Sequence, residues 1–197
     1  MLPIPDPLLN RATIVGLDPG TEMLGFGVLT INVDTFEILS SDAVSYKGSK
    51  LIGSDWSEQI FGARYRRIQA HRNNLISLFK AYQPLIIACE SPFILMRRPQ
   101  AYGALTEVVC GIRSAVEEYD AWRPLYMIPP SSVKNAVGCK GNGDKAAMKI
   151  AMGKLTEVVE VLETPLSRLD EHAIDSLAVA YSAYKSLREN GLESLYI

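Results

Sequence analysis

Residues 12–31 most strongly limit what this chain can fold into. They contain two apolar runs, ATIVGL and MLGFGVLTI, joined by the short turn DPGTE. Apolar runs of this length around a proline and glycine turn predict two antiparallel strands, at about 13–17 and 24–31. The first run is apolar throughout, which is typical of a central strand, and it ends in Asp18. A carboxylate at the tip of a buried strand is costly to leave unpaired, so we expect a metal ion or a basic partner beside it.

The rest of the chain extends this hairpin into a mixed α/β pattern. We expect a third strand at about 37–46 and two short strands in PLIIACE and RPLYMI, with KGSKLIGSD as a loop. The helices predicted from apolar spacing are 56–82, 101–119, a short one from Pro130, 145–163 and 169–188. Three strands followed by alternating helices and strands predict a five-stranded sheet, antiparallel on one side and parallel in the middle, flanked by helices.

Length and composition favour one domain. The chain has 197 residues, 48% of them hydrophobic and 21% charged. This suits a single core spanning 1–197, with 1–11 as an N-terminal extension and 189–197 as a C-terminal tail. Three widely spaced cysteines without a CxxC pair indicate a reducing compartment. No signal peptide or stretch of about 18 apolar residues is evident, so we expect a soluble, cytoplasmic protein without membrane contact.

Charge is distributed unevenly along the chain. The net charge of -2 gives no overall attraction to nucleic acid. The predicted helix 56–82, however, carries Arg64, Arg66 and Arg67, and residues 130–154 contain five lysines against one acidic residue, Asp144. A basic face of this kind could contact a polyanion, but solvated helix faces explain the pattern equally well. His71, in the basic helix, is expected at the surface.

Four residues form the candidate catalytic centre. Asp18 and Glu90 both end apolar strands, and ligands of open α/β sheets gather at the carboxyl ends of parallel strands. His172 and Asp175 are three apart and therefore share one face of the last predicted helix. Asp18 could instead form an Asx turn, and Glu90 or Asp170 could cap a turn or helix. Glu171 also shares a face with Asp175 and could replace His172.

These oxygen ligands, with one imidazole, are suited to hard divalent cations. We expect Mg²⁺, with Mn²⁺ as a substitute, and two ions per site. Two such ions can stabilise the attacking water and the leaving oxygen in phosphodiester cleavage. The residues alone therefore indicate a metal-dependent nuclease.

Four segments in order, GLDPGTEMLGFGVL, CESPF, PPSSVKNAVGCKGNGDKAAM and DEHAIDSLAVAYSA, resemble the RuvC-type Holliday junction resolvases of the ribonuclease H-like superfamily. The resemblance implies that Asp18, Glu90 and Asp175 take the acidic positions of that family, and that His172 takes a position held by Asp or His. It also implies that two lysines, Lys134 and Lys145, lie near the scissile phosphate, with Lys145 catalytic. The family's GQxRG run is absent, since ALTEVVCGIR stands there.

The same resemblance places an aromatic residue, Phe93, on unpaired bases at the junction centre. Its neighbours Pro92, Arg97 and Arg98 predict an exposed loop, and an apolar ring exposed there indicates a binding role. The full set expected to bind DNA is Phe93, Arg97, Arg98, Lys134, Lys140 and Lys145. Lys140 and Lys145 flank GNGD, which is either a phosphate-contacting loop or a solvated turn.

The function that the resemblance implies is resolution of four-way DNA junctions by paired nicks. Two symmetry-related strands call for a homodimer. Its candidate interface is a stripe of small and apolar residues on helix 101–119, although the same stripe could cover the sheet. This stripe consists of Ala104, Val108, Gly111, Ile112 and Ala115. The alternatives are a related branched-DNA or flap nuclease, a catalytically inactive DNA-binding module and an actin-like ATP-dependent phosphotransferase.

Overall fold

Five strands form a single mixed sheet in the computed structural model, which describes residues 10–51, 57–92, 99–141 and 143–191. The strands are β1 (Arg11–Asp18), β2 (Met23–Asn32), β3 (Ile38–Lys47), β4 (Ile86–Glu90) and β5 (Leu125–Ile128). Their spatial order is β3-β2-β1-β4-β5. β1, β2 and β3 pair antiparallel, whereas β1, β4 and β5 run parallel. The predicted five-stranded sheet, antiparallel on one side and parallel on the other, is therefore confirmed.

Helices cover both faces of the sheet. Those within the described ranges are α1 (Gly48–Leu51), α2 (Ser57–Tyr82), α3 (Pro99–Tyr119), α4 (Pro130–Ala136), α5 (Lys145–Gly153), α6 (Thr156–Val159) and α7 (Glu171–Asn190). α2 kinks at Gly62, whose φ of 82° lies in the region that glycine enters without steric cost. None of these helices is long and apolar enough to cross a membrane.

The two faces of the sheet bury separate hydrophobic cores because side chains alternate along each strand. Ile14 lies in the core that the sheet shares with α7 and with α4 to α6. Val15, the next residue, lies in the core shared with α2 and α3. By the same alternation, Asp18 and Glu90 at the strand ends belong to the side of the sheet that α7 covers.

Three glycines let α7 lie directly on the sheet. A Cβ atom on Gly16 would lie 2.2 Å from the backbone nitrogen of Ala180, and one on Gly27 would lie 2.5 Å from that of Leu177. Gly25 is equally close, since its Cβ would lie 2.1 Å from the carbonyl oxygen of His172. Real Cβ atoms do not approach backbone atoms this closely. The first turn of α7 is therefore held against the carboxyl end of β1.

The structure corrects two element predictions. KGSKLIGSD is not a simple loop, because α1 occupies its first half; residues 52–56 lie outside the described ranges. The single helix predicted at 145–163 is wrong, since α5 ends at Gly153 and α6 follows separately. The end of α6 and the residues after it bond to the edge strand β3. The Ser41 hydroxyl donates to the Val158 carbonyl at 2.8 Å, and Glu163 N–H donates to the Ser41 carbonyl. A continuous helix could not supply these partners.

The apolar stripe of α3 covers the sheet. Val108, Ile112 and Ala115 are buried in the core shared with α2, so they are not available to a second copy. Gly111 serves packing within the chain, since a Cβ there would lie 2.8 Å from the Ile68 side chain of α2. The interface predicted on this stripe is therefore wrong for its central residues. The apolar periodicity could not distinguish the two uses, because any helix on a sheet needs one apolar face.

His71 is also placed differently from its predicted surface position. Its side chain is buried beneath α1, where a Cβ on Gly48 would lie 2.8 Å from the His71 Nε2 atom. Burial lowers the pKa of His71, while the nearby backbone of Thr21 and Glu22 and the Glu22 charge oppose this shift. The histidine is therefore a buried residue of the core rather than a surface residue.

Candidate active site

Asp18 and Glu90 lie side by side because their strands are parallel neighbours. Leu17 pairs with Cys89 in the sheet register, so the following residues, Asp18 and Glu90, are adjacent at the carboxyl ends of β1 and β4. Both strands are buried up to these positions, and both carboxylates are only partly exposed. The predicted gathering of carboxylates at this sheet edge is therefore present in the structure.

α7 brings His172 to the same edge. Asp170 caps the helix by accepting a hydrogen bond from the backbone N–H of Ala173 at 2.9 Å, as one interpretation of the sequence anticipated. The next residues then form the first turn of the helix above β1. His172 Nδ1 lies 2.7 Å from Asp18 Oδ2. This hydrogen bond raises the pKa of His172, although burial opposes the shift.

Glu90 and Asp175 show the electrostatic cost of the arrangement. Burial, followed by the charges of Asp18 and Asp175, raises the pKa of Glu90 to about 7, and Lys134 opposes the shift. Burial and the Asp18 charge likewise raise the pKa of Asp175 to about 6, opposed mainly by Lys145 and His172. The charge of Asp18 thus repels the charges of Glu90 and Asp175 in a site that is partly removed from water. A bound cation would relieve this repulsion.

The donor chemistry suits a hard divalent cation, since it comprises three carboxylates and one imidazole. In this structure the four side chains do not form a complete coordination site. Within the described residues, no three carboxylate, imidazole or thiol groups are arranged closely enough to hold a metal ion. Asp18 and His172 bond to each other, whereas Glu90 and Asp175 interact with Asp18 through charge alone. The residues therefore fit a metal by chemical type and by uncompensated charge.

His172 and Glu171 occupy different positions, which bears on the alternative that the sequence left open. His172 points to Asp18, inside the carboxylate group. Glu171 Oε1 forms an ion pair with Lys145 Nζ and lies 3.6 Å from His172 Nε2. Lys145 lowers the pKa of Glu171 through this contact. Glu171 thus lies between the Lys145 ammonium and the His172 imidazole at the outer side of the site, and His172 faces the candidate metal ligands.

The two lysines singled out by sequence lie at this site. Lys134 Nζ donates to the carbonyl oxygens of Gly143 at 2.8 Å and Gly141 at 3.2 Å, and its charge acts on Glu90. It therefore fixes the loop between α4 and α5 as well as facing the carboxylates. Lys145 begins α5 and acts on Asp175. Lys140 is exposed on the same loop.

The other residues predicted to contact DNA either lie outside the described residues or have partners within the protein. Phe93, Arg97 and Arg98 lie outside the described residues. Arg64 and Arg67, expected on a basic surface, pair instead with Glu107 at 2.9 Å and Glu22 at 3.3 Å. Arg66 is buried and has a partner within the molecule. The solvated-face interpretation therefore fits the exposed Arg64, whereas Arg66 is buried and Arg67 is partly buried against Glu22.

Gly16, Gly25 and Gly27 are the functional residues that sequence reasoning missed. Gly25 and Gly27 are two apart in β2 and so lie on one face, and Gly16 pairs with Gly27 in the adjacent strand. Glycines on one face of a central hairpin were a readable signal of close approach by another backbone. They let α7 bring His172 and Asp175 to the strand ends.

Comparisons with known proteins agree with this geometry. No protein-family profile matches the chain. The crossover junction endodeoxyribonuclease RuvC of Thermosipho melanesiensis is 29% identical over 168 residues, which is 85% of this chain and 94% of that protein. RuvC of Citrifermentans bemidjiense is 25% identical over 185 residues, 91% of this chain and 96% of that protein.

A solved structure has a similar fold. That of Thermus thermophilus RuvC in complex with Holliday junction substrate has a TM-score of 0.62 at 19% identity, covering 91% of this chain and 97% of that one. The resemblance seen in the sequence motifs is therefore confirmed over most of the chain.

Proposed function

We propose that this relative of the RuvC proteins is a structure-selective endonuclease that resolves four-way DNA junctions by metal-dependent phosphodiester hydrolysis. The observation that carries the proposal is that Asp18 and Glu90 end two neighbouring parallel strands, where α7 brings His172 into contact with Asp18 and places Asp175 within reach of the Asp18 charge. The relatives named above are crossover junction endodeoxyribonucleases, and one solved neighbour holds a Holliday junction. We place the activity in the cytoplasm.

The metal ligands in this proposal are Asp18, Glu90, His172 and Asp175, holding two Mg²⁺ ions, with Mn²⁺ able to substitute. When bound, such ions activate water and stabilise the leaving oxygen of a phosphodiester. The raised pKa values of Glu90 and Asp175 support the assignment, because both groups carry a charge that the protein opposes. His172 holds Asp18 in place at 2.7 Å before any ion binds.

Two lysines support catalysis from the edge of the site. Lys145 is the candidate catalytic lysine, since its ammonium lies at the mouth of the carboxylate group and can neutralise charge developing on the phosphate. Lys134 faces Glu90 and at the same time anchors the loop that leads to Lys145. Lys140, on that loop, is an exposed candidate for backbone contact. The DNA-binding roles of Phe93, Arg97 and Arg98 rest on sequence resemblance.

The proposal includes a homodimer, because paired nicks need two sites related by two-fold symmetry. We propose that the dimer interface lies at the start of α2 rather than on the buried stripe of α3. Ile60 and Phe61 are more than half exposed there, Tyr65 is 45% exposed, and the rings of Phe61 and Tyr65 lie 5.1 Å apart. A groove of about 640 Å³ between α2 and α3 adjoins Tyr65. A second copy would cover this apolar surface.

The test of this function is cleavage of a panel of labelled substrates by the purified protein. A four-way junction, a fork, a flap and a linear duplex of shared sequence are each incubated with Mg²⁺, and with EDTA as the control. We expect paired nicks in the junction only, and only with the metal. Preferential cutting of the flap would support the alternative of a flap nuclease, whereas no metal-dependent cleavage of any substrate would contradict the proposal.

A further inference from the structure

The contact between Lys145 and Glu171 bears on how substrate enters the site, given the proposed function. Glu171 Oε1 pairs with Lys145 Nζ and lies 3.6 Å from His172 Nε2. A single carboxylate oxygen thus faces the Lys145 ammonium and the His172 imidazole at the mouth of the site. A phosphodiester oxygen carries the same charge and needs the same kind of partner. Glu171 is therefore placed as a substrate phosphate would be.

A cavity adjoins this ion pair. A cavity of about 220 Å³ between α5 and α7 is lined by Lys145, Lys149, Glu171 and Asp175 together with three other residues. Lys149 Nζ is directed to the carbonyl oxygen of Leu169 at 3.4 Å. Lys145 is thus the lysine of this cavity whose ammonium is held by a side-chain carboxylate. It is also the more exposed of the two, with 61% of its side chain accessible.

A DNA phosphate cannot pair fully with the Lys145 ammonium while Glu171 forms an ion pair with it. Both side chains of the pair are largely exposed, so the pair is weak and can be exchanged. An incoming phosphate would take over the ammonium, and Glu171 would turn to solvent. Before DNA arrives, the pair keeps Lys145 beside Asp175 rather than extended into water.

We propose that Glu171 is an internal substitute for the substrate phosphate, which positions Lys145 in the free protein and must be displaced when DNA binds. Glu171 is therefore a positioning residue that acts through Lys145. It weakens binding of nonspecific polyanions by occupying their contact, and it lowers affinity for DNA in the ground state. This assignment also separates Glu171 from the metal ligands.

The test is a double-mutant cycle read by DNA binding without divalent metal. Wild type, Glu171→Gln, Lys145→Ala and the double variant are measured at low salt with a labelled four-way junction, by fluorescence anisotropy. Glu171→Gln should bind about two- to fivefold more tightly, the range expected for releasing an exposed ion pair. The gain should be clearly smaller in the Lys145→Ala background, because no ammonium is released there.

Glu189→Gln is the matched control, since Glu189 pairs with Lys185 at the other end of α7. It should leave affinity unchanged. In cleavage assays with Mg²⁺, Glu171→Gln should lower KM more than it changes kcat, which a merely structural role would not do. A gain that is equal or larger in the Lys145→Ala background would assign Glu171 to simple charge repulsion and overturn the proposal. So would no gain at all.

A second probe separates this inference from the proposed function. Short-chain inorganic polyphosphate is titrated into the same variants by calorimetry. Tighter polyphosphate binding by Glu171→Gln that depends on Lys145 supports the inference. It does so even if junctions are neither bound nor cut, because that outcome contradicts only the proposed function. Unchanged polyphosphate binding in Glu171→Gln would overturn the inference even if junctions are cut.

Discussion

At the scale of single residues, Glu90 shows why the site calls for a cation. Its pKa is raised to about 7 by burial and by the charges of Asp18 and Asp175, and the lysine that opposes this shift is Lys134. The Lys134 ammonium also donates to the carbonyl oxygens of Gly141 and Gly143. It therefore does not offset the mutual repulsion of Asp18, Glu90 and Asp175. The protein keeps these groups close at a cost in stability, which a divalent ion would reduce.

Lys134 supplies the first prediction. Lys134→Ala should lower the cleavage rate at least about tenfold, since removal of one group that stabilises a transition state commonly costs this much or more. Junction affinity should stay within about twofold, because the ammonium is directed to Gly141, Gly143 and Glu90 rather than to the surface. Single-turnover rates and binding curves measure the two effects separately.

Lys154→Ala is the control for this variant, since Lys154 is exposed at the end of α5. It should cleave at the wild-type rate. If Lys134→Ala weakens binding and leaves the rate unchanged, Lys134 is a backbone-contacting residue and its role in catalysis is contradicted.

His71 supplies a prediction on pH. Burial lowers its pKa below the ordinary 6.5, against the effects of Thr21 and Glu22, so the folded protein binds fewer protons here than the unfolded chain. The resulting stability is present above pH 6.5 and is lost as the pH falls through the lowered pKa. Between pH 7 and 5 the thermal midpoint of wild type should therefore fall more than that of His71→Gln.

Thermal denaturation across this pH range measures the difference. His172→Gln, which alters the other histidine, should keep the acid-dependent loss that His71 causes. Parallel pH profiles for wild type and His71→Gln would show that His71 does not titrate as its burial indicates.

At the scale of elements, the close packing of α7 on β1 and β2 positions the site. The sequence predicted the strands that carry Asp18 and Glu90 and the helix that carries His172 and Asp175, because each has a clear apolar pattern. The approach distance depends on Gly16, Gly25 and Gly27, which carry no side chain and so do not enter an apolar pattern. The elements were therefore predicted, whereas the contact between α7 and the hairpin was missed although the spacing of these glycines signals it.

Gly16→Ala tests this packing. Its Cβ would meet the backbone of Ala180 at 2.2 Å, and a backbone cannot move aside as a flexible side chain can. We expect destabilisation of at least about 1–3 kcal/mol, with loss of cleavage as α7 shifts away from Asp18. Urea denaturation gives the free energy of unfolding.

Gly103→Ala is the matched control, because Gly103 lies in α3 with open space where its Cβ would be. Alanine there should be neutral or stabilise the protein by up to about 1 kcal/mol, as it favours helix. Equal stability of the two variants would contradict the role given to Gly16.

Tertiary contacts decided the elements that sequence patterns misjudged. The segment after α5 bonds to Ser41 in β3, more than 100 positions earlier in the chain, and a helix continued to residue 163 could not make these bonds. The sequence left the role of Arg64 and Arg67 open between a DNA-facing surface and a solvated helix face, because their partners Glu107 and Glu22 are distant in sequence. Such pairings are set by the fold, so local charge and apolar spacing could not reveal them.

At the scale of the whole molecule, assembly is the property that the proposed paired nicks require. Wild-type protein should sediment as a dimer, and a variant combining Ile60→Ser with Phe61→Ser should shift toward monomer, because both side chains are exposed apolar groups at the proposed interface. Sedimentation velocity at several concentrations measures this shift.

Trp122→Ser is the control, since Trp122 is 84% exposed at the turn after α3, whose last residue, Tyr119, packs on Phe79 at the end of α2 rather than at its start. It should remain dimeric. A wild-type protein that is monomeric both free and on a junction would contradict the dimer, and an unchanged double variant would contradict this interface.

The central claim is that the carboxylates at the ends of β1 and β4 form a nuclease site for four-way junctions. The most direct test compares junction binding and Mg²⁺-dependent cleavage by wild type, Asp18→Asn and Glu37→Gln. Glu37 is exposed just before β3, at the opposite end of the sheet from Asp18. Asp18→Asn should bind the junction at least as tightly as wild type but leave it uncut, while Glu37→Gln cuts normally. Cleavage by Asp18→Asn at the wild-type rate would contradict the account.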